Sequence, residues 1–127
     1  MGVVVIKAAA LSCVLTIALS AAASAANCRV PLIRTLENQT VQGHMFARTG
    51  QRCSISLHGS RGPMFGIRVL SSPSNGVVAV QGQQIVYRSK PGYVGEDHFA
   101  YARQGADPLN RPVTKGVEVT VHVSQKL

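Results

Sequence analysis

The stretch from Pro73 to Tyr101, PSNGVVAVQGQQIVYRSKPGYVGEDHFAY, decides the fold class of this chain. It contains three short segments in which apolar and polar residues alternate, separated by a tight connection at 81–83 and a Pro/Gly loop at 89–95. Alternation with a period of two is typical of a half-buried strand, and neither connection has room for a helix. The stretch therefore predicts consecutive antiparallel strands.

The same alternation recurs along the rest of the chain, and no useful window shows helical periodicity. Outside the central stretch, extended segments are predicted at 28–37, 40–48, 52–58, 65–70 and 116–123, and the central strands at 77–80, 84–88 and 97–103. About seven strands at this spacing favour an all-β, two-sheet sandwich, with a small closed barrel as the alternative. Residues 104–114 are expected to form a long polar connection.

The first 26 residues have the layout of a secretory signal peptide. Lys7 precedes an apolar run over 8–19, and small Ala and Ser residues fill positions 20–26. Cleavage is expected within 23–26, most simply after Ala26. The apolar run is short for a membrane span, which takes about 20 residues. We therefore expect a bacterial protein that is periplasmic or secreted and has no transmembrane span after processing, with an uncleaved anchor as the alternative.

Processing would leave residues 27–127 as a single small domain. A domain of this size buries only about 60–65% of its unfolded surface, so its stability margin is thin. Cys28 and Cys53 are its two cysteines, and in an oxidising compartment two such thiols usually pair. The disulfide would contribute about 3 kcal/mol by closing a loop in the unfolded chain. Two free or metal-bound thiols are the alternative.

The chain is strongly basic, with 13 Lys and Arg residues against five Asp and Glu residues and a formal net charge of +8. Positive charge attracts anionic partners, which outside the cytoplasm include lipopolysaccharide, acidic polysaccharide and membrane head groups. The basic residues are scattered and do not alternate with aromatic residues, so nucleic-acid binding is not expected. A domain with a high pI and no charge-driven partner is the plainer interpretation.

The central stretch resembles the immunoglobulin-like, cadherin-like repeats of bacterial surface proteins, with the order P-x-x-G-x-V, then I-V-Y, then P-G-Y-x-G-x-D-x-F-x-Y. The residues that carry the resemblance are Pro73, Gly76, Tyr87, Pro91, Gly92, Tyr93, Gly95, Asp97, Phe99 and Tyr101. It implies an immunoglobulin-like sandwich, here in a single copy, and no particular activity. The calcium sites of such repeats use clustered carboxylates, and segment 107–110 offers too few oxygen ligands to predict Ca²⁺ binding.

Several motif residues have predictable structural roles. Gly76 and Gly92 are expected to adopt backbone angles that a Cβ atom would penalise. Phe99 and Tyr101 are expected to fill the core between the sheets, with the Tyr101 hydroxyl bonded near the end of the sandwich as a corner tyrosine would be. Asp97 is expected to cap the loop before its own strand by accepting backbone N–H bonds.

The sequence contains no recognisable catalytic or metal-binding spacing. The four histidines have no metal-ligand spacing, although different strands could bring two or three together, and we expect structural or surface roles for them. They are His44, His58, His98 and His122. No G-x-S-x-G motif occurs, and the adjacent carboxylates Glu96 and Asp97 should point to opposite faces of a strand. No catalytic residue, metal or cofactor is predicted.

These observations favour a non-enzymatic binding or structural module of the bacterial cell envelope. Binding is expected through end loops at 59–64, 71–76 and 104–114 or through an edge strand. The predicted contacts to an anionic ligand are the arginines in or beside these loops, namely Arg61, Arg103 and Arg111. The alternative is an exported inhibitor or accessory subunit of an envelope enzyme or secretion complex, and an unrecognised hydrolase is the weakest hypothesis.

Overall fold

The computed structural model describes residue 2 and residues 27–57 and 64–127. The predicted signal peptide, His58 and Arg61 lie outside the described residues. The described part is all-β, as predicted, with no helix and therefore none long and apolar enough to cross a membrane. Its strands are β1 (Cys28–Arg29), β2 (Gln39–Arg48), β3 (Arg52–Ser56), β4 (Met64–Ser71), β5 (Gly76–Gln81), β6 (Gln84–Ser89), β7 (Gly95–Ala106) and β8 (Pro112–Ser124).

The strands form two separate sheets. A five-stranded sheet has the order β1-β2-β8-β7-β4, and a three-stranded sheet has the order β3-β6-β5. The pairs are antiparallel except for β2 and β8, which run parallel from Gln39 opposite Lys115 to Arg48 opposite Ser124. Side chains from both sheets share one buried core, so the two layers form a sandwich and the closed-barrel alternative is wrong for the described residues.

The central stretch forms three consecutive strands, of which only the first two pair with each other. Strands β5 and β6 form the predicted hairpin, with Gln81 opposite Gln84. Strand β7, however, pairs with β8 and β4 in the other sheet and not with β6. The rings of Tyr87 on β6 and Phe99 on β7 stack across the core with centroids 5.9 Å apart. Alternation specifies which face of a strand is apolar. It does not specify whether the next strand pairs in the same sheet or packs across the core from the other sheet.

Two segments begin or end at residues other than those predicted from the sequence. The first extended segment is a strand only at 28–29, because Pro31 cannot donate a ladder hydrogen bond. The long connection predicted at 104–114 is instead a short turn at 107–111 between two long strands. The Asp107 side chain closes this turn by accepting the N–H groups of Leu109 and Arg111, at 2.9 and 2.8 Å.

The core lies between the two sheets and is built from alternating residues. On β8 the residues Val117, Val119, Val121 and Val123 are each at most 3% exposed. Phe99 and Tyr101 on β7 lie in the core, as predicted, at 2% and 1% exposure. Burial of each large apolar side chain contributes about 1.5–3 kcal/mol before the entropy of ordering is subtracted.

The predicted disulfide between Cys28 and Cys53 is present. It connects β1 in the five-stranded sheet with β3 in the three-stranded sheet. Strand β1 is only two residues long and pairs with β2 through Cys28 and Arg29. The covalent link therefore holds this short edge strand onto the second layer.

Candidate functional site

The Asp97 carboxylate organises one end of the sandwich and is 3% exposed. Its Oδ2 accepts the Tyr87 hydroxyl at 2.8 Å and the N–H of Asn75 at 3.1 Å. Its Oδ1 accepts the N–H groups of Ser74 and His98, at 3.1 and 3.0 Å. The predicted capping role is therefore real, but it falls on the turn between β4 and β5. The prediction that Asp97 caps the loop before β7 is wrong, because β7 and the 73–76 turn meet at this end of the sandwich.

The motif glycines serve two different purposes. Gly92 has φ +84°, the kind of angle predicted for it. Gly76 has no positive φ, so that part of its prediction is wrong. A Cβ at Gly76 would lie 2.5 Å from the Arg88 carbonyl oxygen and 2.9 Å from Cε2 of Tyr87. The residue at this position must therefore lack a side chain because the neighbouring strand lies too close.

The motif tyrosines occupy distinct environments. Burial raises the pKa of the Tyr101 hydroxyl to about 12. Burial also raises the pKa of Tyr87, and its hydrogen bond to Asp97 raises it further. Tyr93, in the loop between β6 and β7, donates a 2.5 Å hydrogen bond to the carbonyl oxygen of Glu96. These contacts hold the loop and the core together, so the motif residues have structural roles.

The arginines predicted to contact an anion have separate partners. Arg103 lies on β7, and its Nη2 donates to Oγ1 of Thr35 at 2.8 Å. Nε of Arg111 donates to Oδ2 of Asp107 at 2.7 Å. The backbone N–H of Arg111, followed by its guanidinium, lowers the pKa of the Asp107 carboxyl. Arg61 lies outside the described residues, and Arg103 and Arg111 bond to different side chains.

Arg103 also lines a cleft of about 460 Å³ at the open side of the sandwich. The cleft walls come from residues 30–33, which follow β1, and from 54–57, at and beyond the end of β3. Leu32 at this cleft is 83% exposed. The next residues along the chain, 58–63, lie outside the described part. The cleft combines an apolar wall with one guanidinium that is already hydrogen-bonded.

A second pair of arginines lies on the outer face of the three-stranded sheet. Arg52 on β3 is directly opposite Arg88 on β6. Both side chains point outwards, because their chain neighbours Cys53 and Tyr87 point into the core. Nη2 of Arg52 donates to Oε1 of Gln81 at 2.8 Å. Within residues 27–57 and 64–127, the guanidinium of Arg88 has no hydrogen-bond or ion-pair partner.

These arginines line an open groove of about 310 Å³, which we call the arginine groove. Its lining residues are Arg52, Val77, Ala79, Gln81, Val86 and Arg88. The strands of this sheet contain no Asp or Glu residue, whereas Glu96, Asp97 and Glu118 lie on the other sheet. Like charges directly opposite one another destabilise a sheet, and the backbone positions of Arg52 and Arg88 form such a pair.

Sequence reasoning missed the arginine groove because its two arginines lie on strands that are far apart in the chain. A usable signal was present in the alternation. Arg52 directly precedes Cys53 and Arg88 directly follows Tyr87, so both arginines had to face away from the core. What alternation did not supply was the pairing of β3 with β6, which sets the two arginines opposite each other.

The histidines of the described part lie on the outer face of the five-stranded sheet. They are His44 on β2, His98 on β7 and His122 on β8. Among residues 27–57 and 64–127, no three His, Cys, Asp or Glu side chains come together as a metal site. No protein family model and no curated protein matches the chain. Function is therefore inferred from the geometry of these surfaces.

Proposed function

We propose that this protein is an exported, non-enzymatic binding module of the bacterial cell envelope, and that its arginine groove binds an anionic polysaccharide. The observation that carries the proposal is the pair Arg52 and Arg88, set opposite each other on a sheet whose strands contain no acidic residue. Residues 27–127 contain 12 Lys and Arg residues against five Asp and Glu residues, and this net charge of +7 adds long-range attraction for a polyanion.

The strand order supports an immunoglobulin-like assignment for the sandwich. The order β3-β6-β5 corresponds to strands B, E and D of an immunoglobulin domain, and β8-β7-β4 corresponds to G, F and C. The sequence motif from Pro73 to Tyr101 covers the turn before β5, strands β5 and β6, and the first half of β7. Domains of this architecture serve many functions, so the architecture fits a binding module without specifying its ligand.

The chemistry of the groove favours a carboxylate or phosphate group on an extended polymer. Guanidinium groups bind such anions through two parallel hydrogen bonds. Beside the arginines lie Val77 and Ala79, which offer an apolar surface to the carbon face of a sugar ring. The groove is open, whereas sites for small molecules usually enclose most of their ligand. A polymer lying across the sheet fits this shape better than an enclosed metabolite.

Export is supported by two features. The first 26 residues carry the layout of a signal peptide. The Cys28–Cys53 disulfide is typical of proteins that fold in an oxidising compartment. A small basic domain in that compartment meets acidic polysaccharides and lipid head groups of the envelope.

The test is a binding measurement with the oxidised protein on a polyuronate such as alginate, with neutral dextran as the control polymer. We expect binding to alginate that weakens as salt rises, because exposed charges are screened. Vesicles that contain anionic lipid form a separate arm, and tighter binding to them than to alginate would replace polysaccharide with head groups as the ligand.

Arg52→Ala and Arg88→Ala should each weaken alginate binding by about tenfold, which corresponds to the loss of one charge-assisted hydrogen bond. Arg68→Ala is the matched control, since Arg68 is an exposed arginine on β4 of the other sheet. An equal loss in all three variants would mean that net charge alone drives the interaction. Absence of binding by the unaltered protein would refute the proposal.

The alternative role, an inhibitor or accessory subunit, has one observation in its favour. Strand β5 is an edge strand among the described residues, and Val77 and Val80 on it are 67% and 40% exposed. An exposed edge can pair with a strand from another chain. A stoichiometric protein partner that is recovered from an envelope extract, and that still binds the Arg52→Ala and Arg88→Ala variants, would favour this role.

A further inference from the structure

The outer face of the five-stranded sheet brings two histidines together. His44 on β2 lies opposite Thr120, and His122 on β8 lies opposite Phe46, so the two histidines are diagonal neighbours on adjacent parallel strands. Nδ1 of His44 and Nε2 of His122 share a hydrogen bond 3.2 Å long, so one of the two nitrogens carries the proton between them. The two ring planes lie within 20° of each other and their centroids are 5.4 Å apart, so the rings meet at their edges.

We propose that His44 and His122 form a binding site for a divalent transition-metal ion such as Cu²⁺, Ni²⁺ or Zn²⁺, with water in the remaining positions. Metal–nitrogen bonds to imidazole are about 2.0–2.1 Å long. An ion that replaces the shared proton, which is released to solvent, can lie at that distance from both nitrogens after a small rotation of the rings, with an angle of about 100° at the metal. Imidazole ligands suit these ions and not Ca²⁺ or Mg²⁺.

Two other side chains flank the His122 ring. Oε1 of Glu96 lies 3.8 Å from Nδ1 of His122, the nitrogen on the side away from His44. At 3.8 Å this contact is too long for a hydrogen bond, so the carboxylate acts on the ring through its negative charge. Phe46 stacks on the same ring with centroids 4.8 Å apart.

The backbone beneath the pair is pre-organised. Strands β2 and β8 are paired over ten consecutive residues, so the two Cα positions are fixed by the sheet. A site on rigid strands loses little entropy when it binds an ion. Because the described residues supply only two histidine ligands, the ion would keep open positions for water or for a ligand from another molecule.

The test uses the purified, oxidised protein titrated with Cu²⁺ in a buffer that does not chelate metals, followed by calorimetry and electron paramagnetic resonance. We expect one ion per chain and a spectrum with coupling to two imidazole nitrogens. His44→Ala and His122→Ala should each weaken Cu²⁺ binding by about tenfold or more. Each variant keeps only one histidine ligand, and the gain in affinity from a second ligand on the same ion is lost. Glu96→Gln should weaken binding less than either.

His98→Ala is the matched control, because His98 lies on the same face and its Nδ1 is 3.4 Å from Oγ1 of Thr120. His58→Ala is included because His58 lies outside the described residues. Both should bind Cu²⁺ as the unaltered protein does. A spectrum with one nitrogen or none, or an equal loss in either control, would overturn the proposal. The nitrogen count is measured on the unaltered protein, so it holds even if a variant fails to fold.

Discussion

The Tyr87 hydroxyl donates a 2.8 Å hydrogen bond to Oδ2 of Asp97, and this bond connects the two sheets of the sandwich. Tyr87 is fully buried on β6 of one sheet, and Asp97 is 3% exposed on β7 of the other. The same carboxylate accepts the N–H groups of Ser74 and Asn75 in the turn between β4 and β5. A buried carboxylate is tolerated only when hydrogen-bond donors surround it. The contact between the two sheets and the conformation of the turn between β4 and β5 therefore depend on the same carboxylate.

Removal of the Tyr87 hydroxyl should therefore be costly. Tyr87→Phe should lower the free energy of unfolding by about 1.5–3 kcal/mol, the range for a buried hydrogen bond to a charged group. Urea denaturation of the oxidised protein measures this. Tyr93→Phe is the control, because its bond to Glu96 is exposed and should contribute about 1 kcal/mol or less. Equal losses in the two variants would contradict the role assigned to Asp97.

Gly76 is expected to reject even one methyl group. Gly76→Ala should destabilise the protein by about 1–3 kcal/mol, since the new Cβ would overlap the Arg88 carbonyl oxygen and the Tyr87 ring. Gly66→Ala on β4 is the matched variant, because no atom lies within 4 Å of its added Cβ and its φ is not positive. Thermal unfolding of both variants should show a loss for Gly76→Ala alone. A neutral Gly76→Ala variant would show that β5 can move away from β6 freely.

The disulfide should account for a large share of a thin stability margin. Cys28 and Cys53 are 25 residues apart, and closure of such a loop contributes about 3 kcal/mol in the chain-entropy model. The Cys28→Ser/Cys53→Ser double variant should lose about that much in urea denaturation, and reductant should have no further effect on it. A thiol assay on the unreduced protein should find neither cysteine free, and two free thiols would rule out the bridge.

Alkaline pH should destabilise the fold through its buried tyrosines. Burial raises the pKa of Tyr101 to about 12 and raises the pKa of Tyr87 still further, against about 10 in the unfolded chain. Above pH 10 the unfolded state loses these protons first. The stabilisation is therefore complete below pH 10 and is lost as the pH rises towards 12, by up to about 1.4 kcal/mol per pH unit for each tyrosine.

Urea denaturation at pH 9, 10 and 11 checks this, and Tyr101→Phe should show a shallower decline than the unaltered protein. The control is Glu118→Gln, a change at an exposed carboxylate that has no tyrosine partner among the described residues. A free energy of unfolding that stays constant up to pH 11 would mean that neither hydroxyl is protected from ionisation in the folded state.

Sequence reasoning predicted the elements well where side-chain alternation was strong. Val117, Val119, Val121 and Val123 alternate without interruption, and all four are buried. It failed at Asp97, which caps a turn in a different part of the chain. It also failed at Gly76, where a side chain is excluded by the carbonyl oxygen of Arg88. In each failure the deciding atom belongs to a residue more than ten positions away, and no local pattern records it.

The amino-acid sequence by itself determined that the chain is all-β, which residues face inwards, and that Cys28 and Cys53 can pair. These properties follow from the alternation of apolar and polar side chains along each strand and from the burial of the apolar face. Neither depends on the order of the strands in a sheet. Only the tertiary structure decided that Arg52 meets Arg88 and that His44 meets His122, because both depend on strand order and register. Strand order is chosen by the packing of the whole core, and residues 36 or 78 positions apart become neighbours only after that choice.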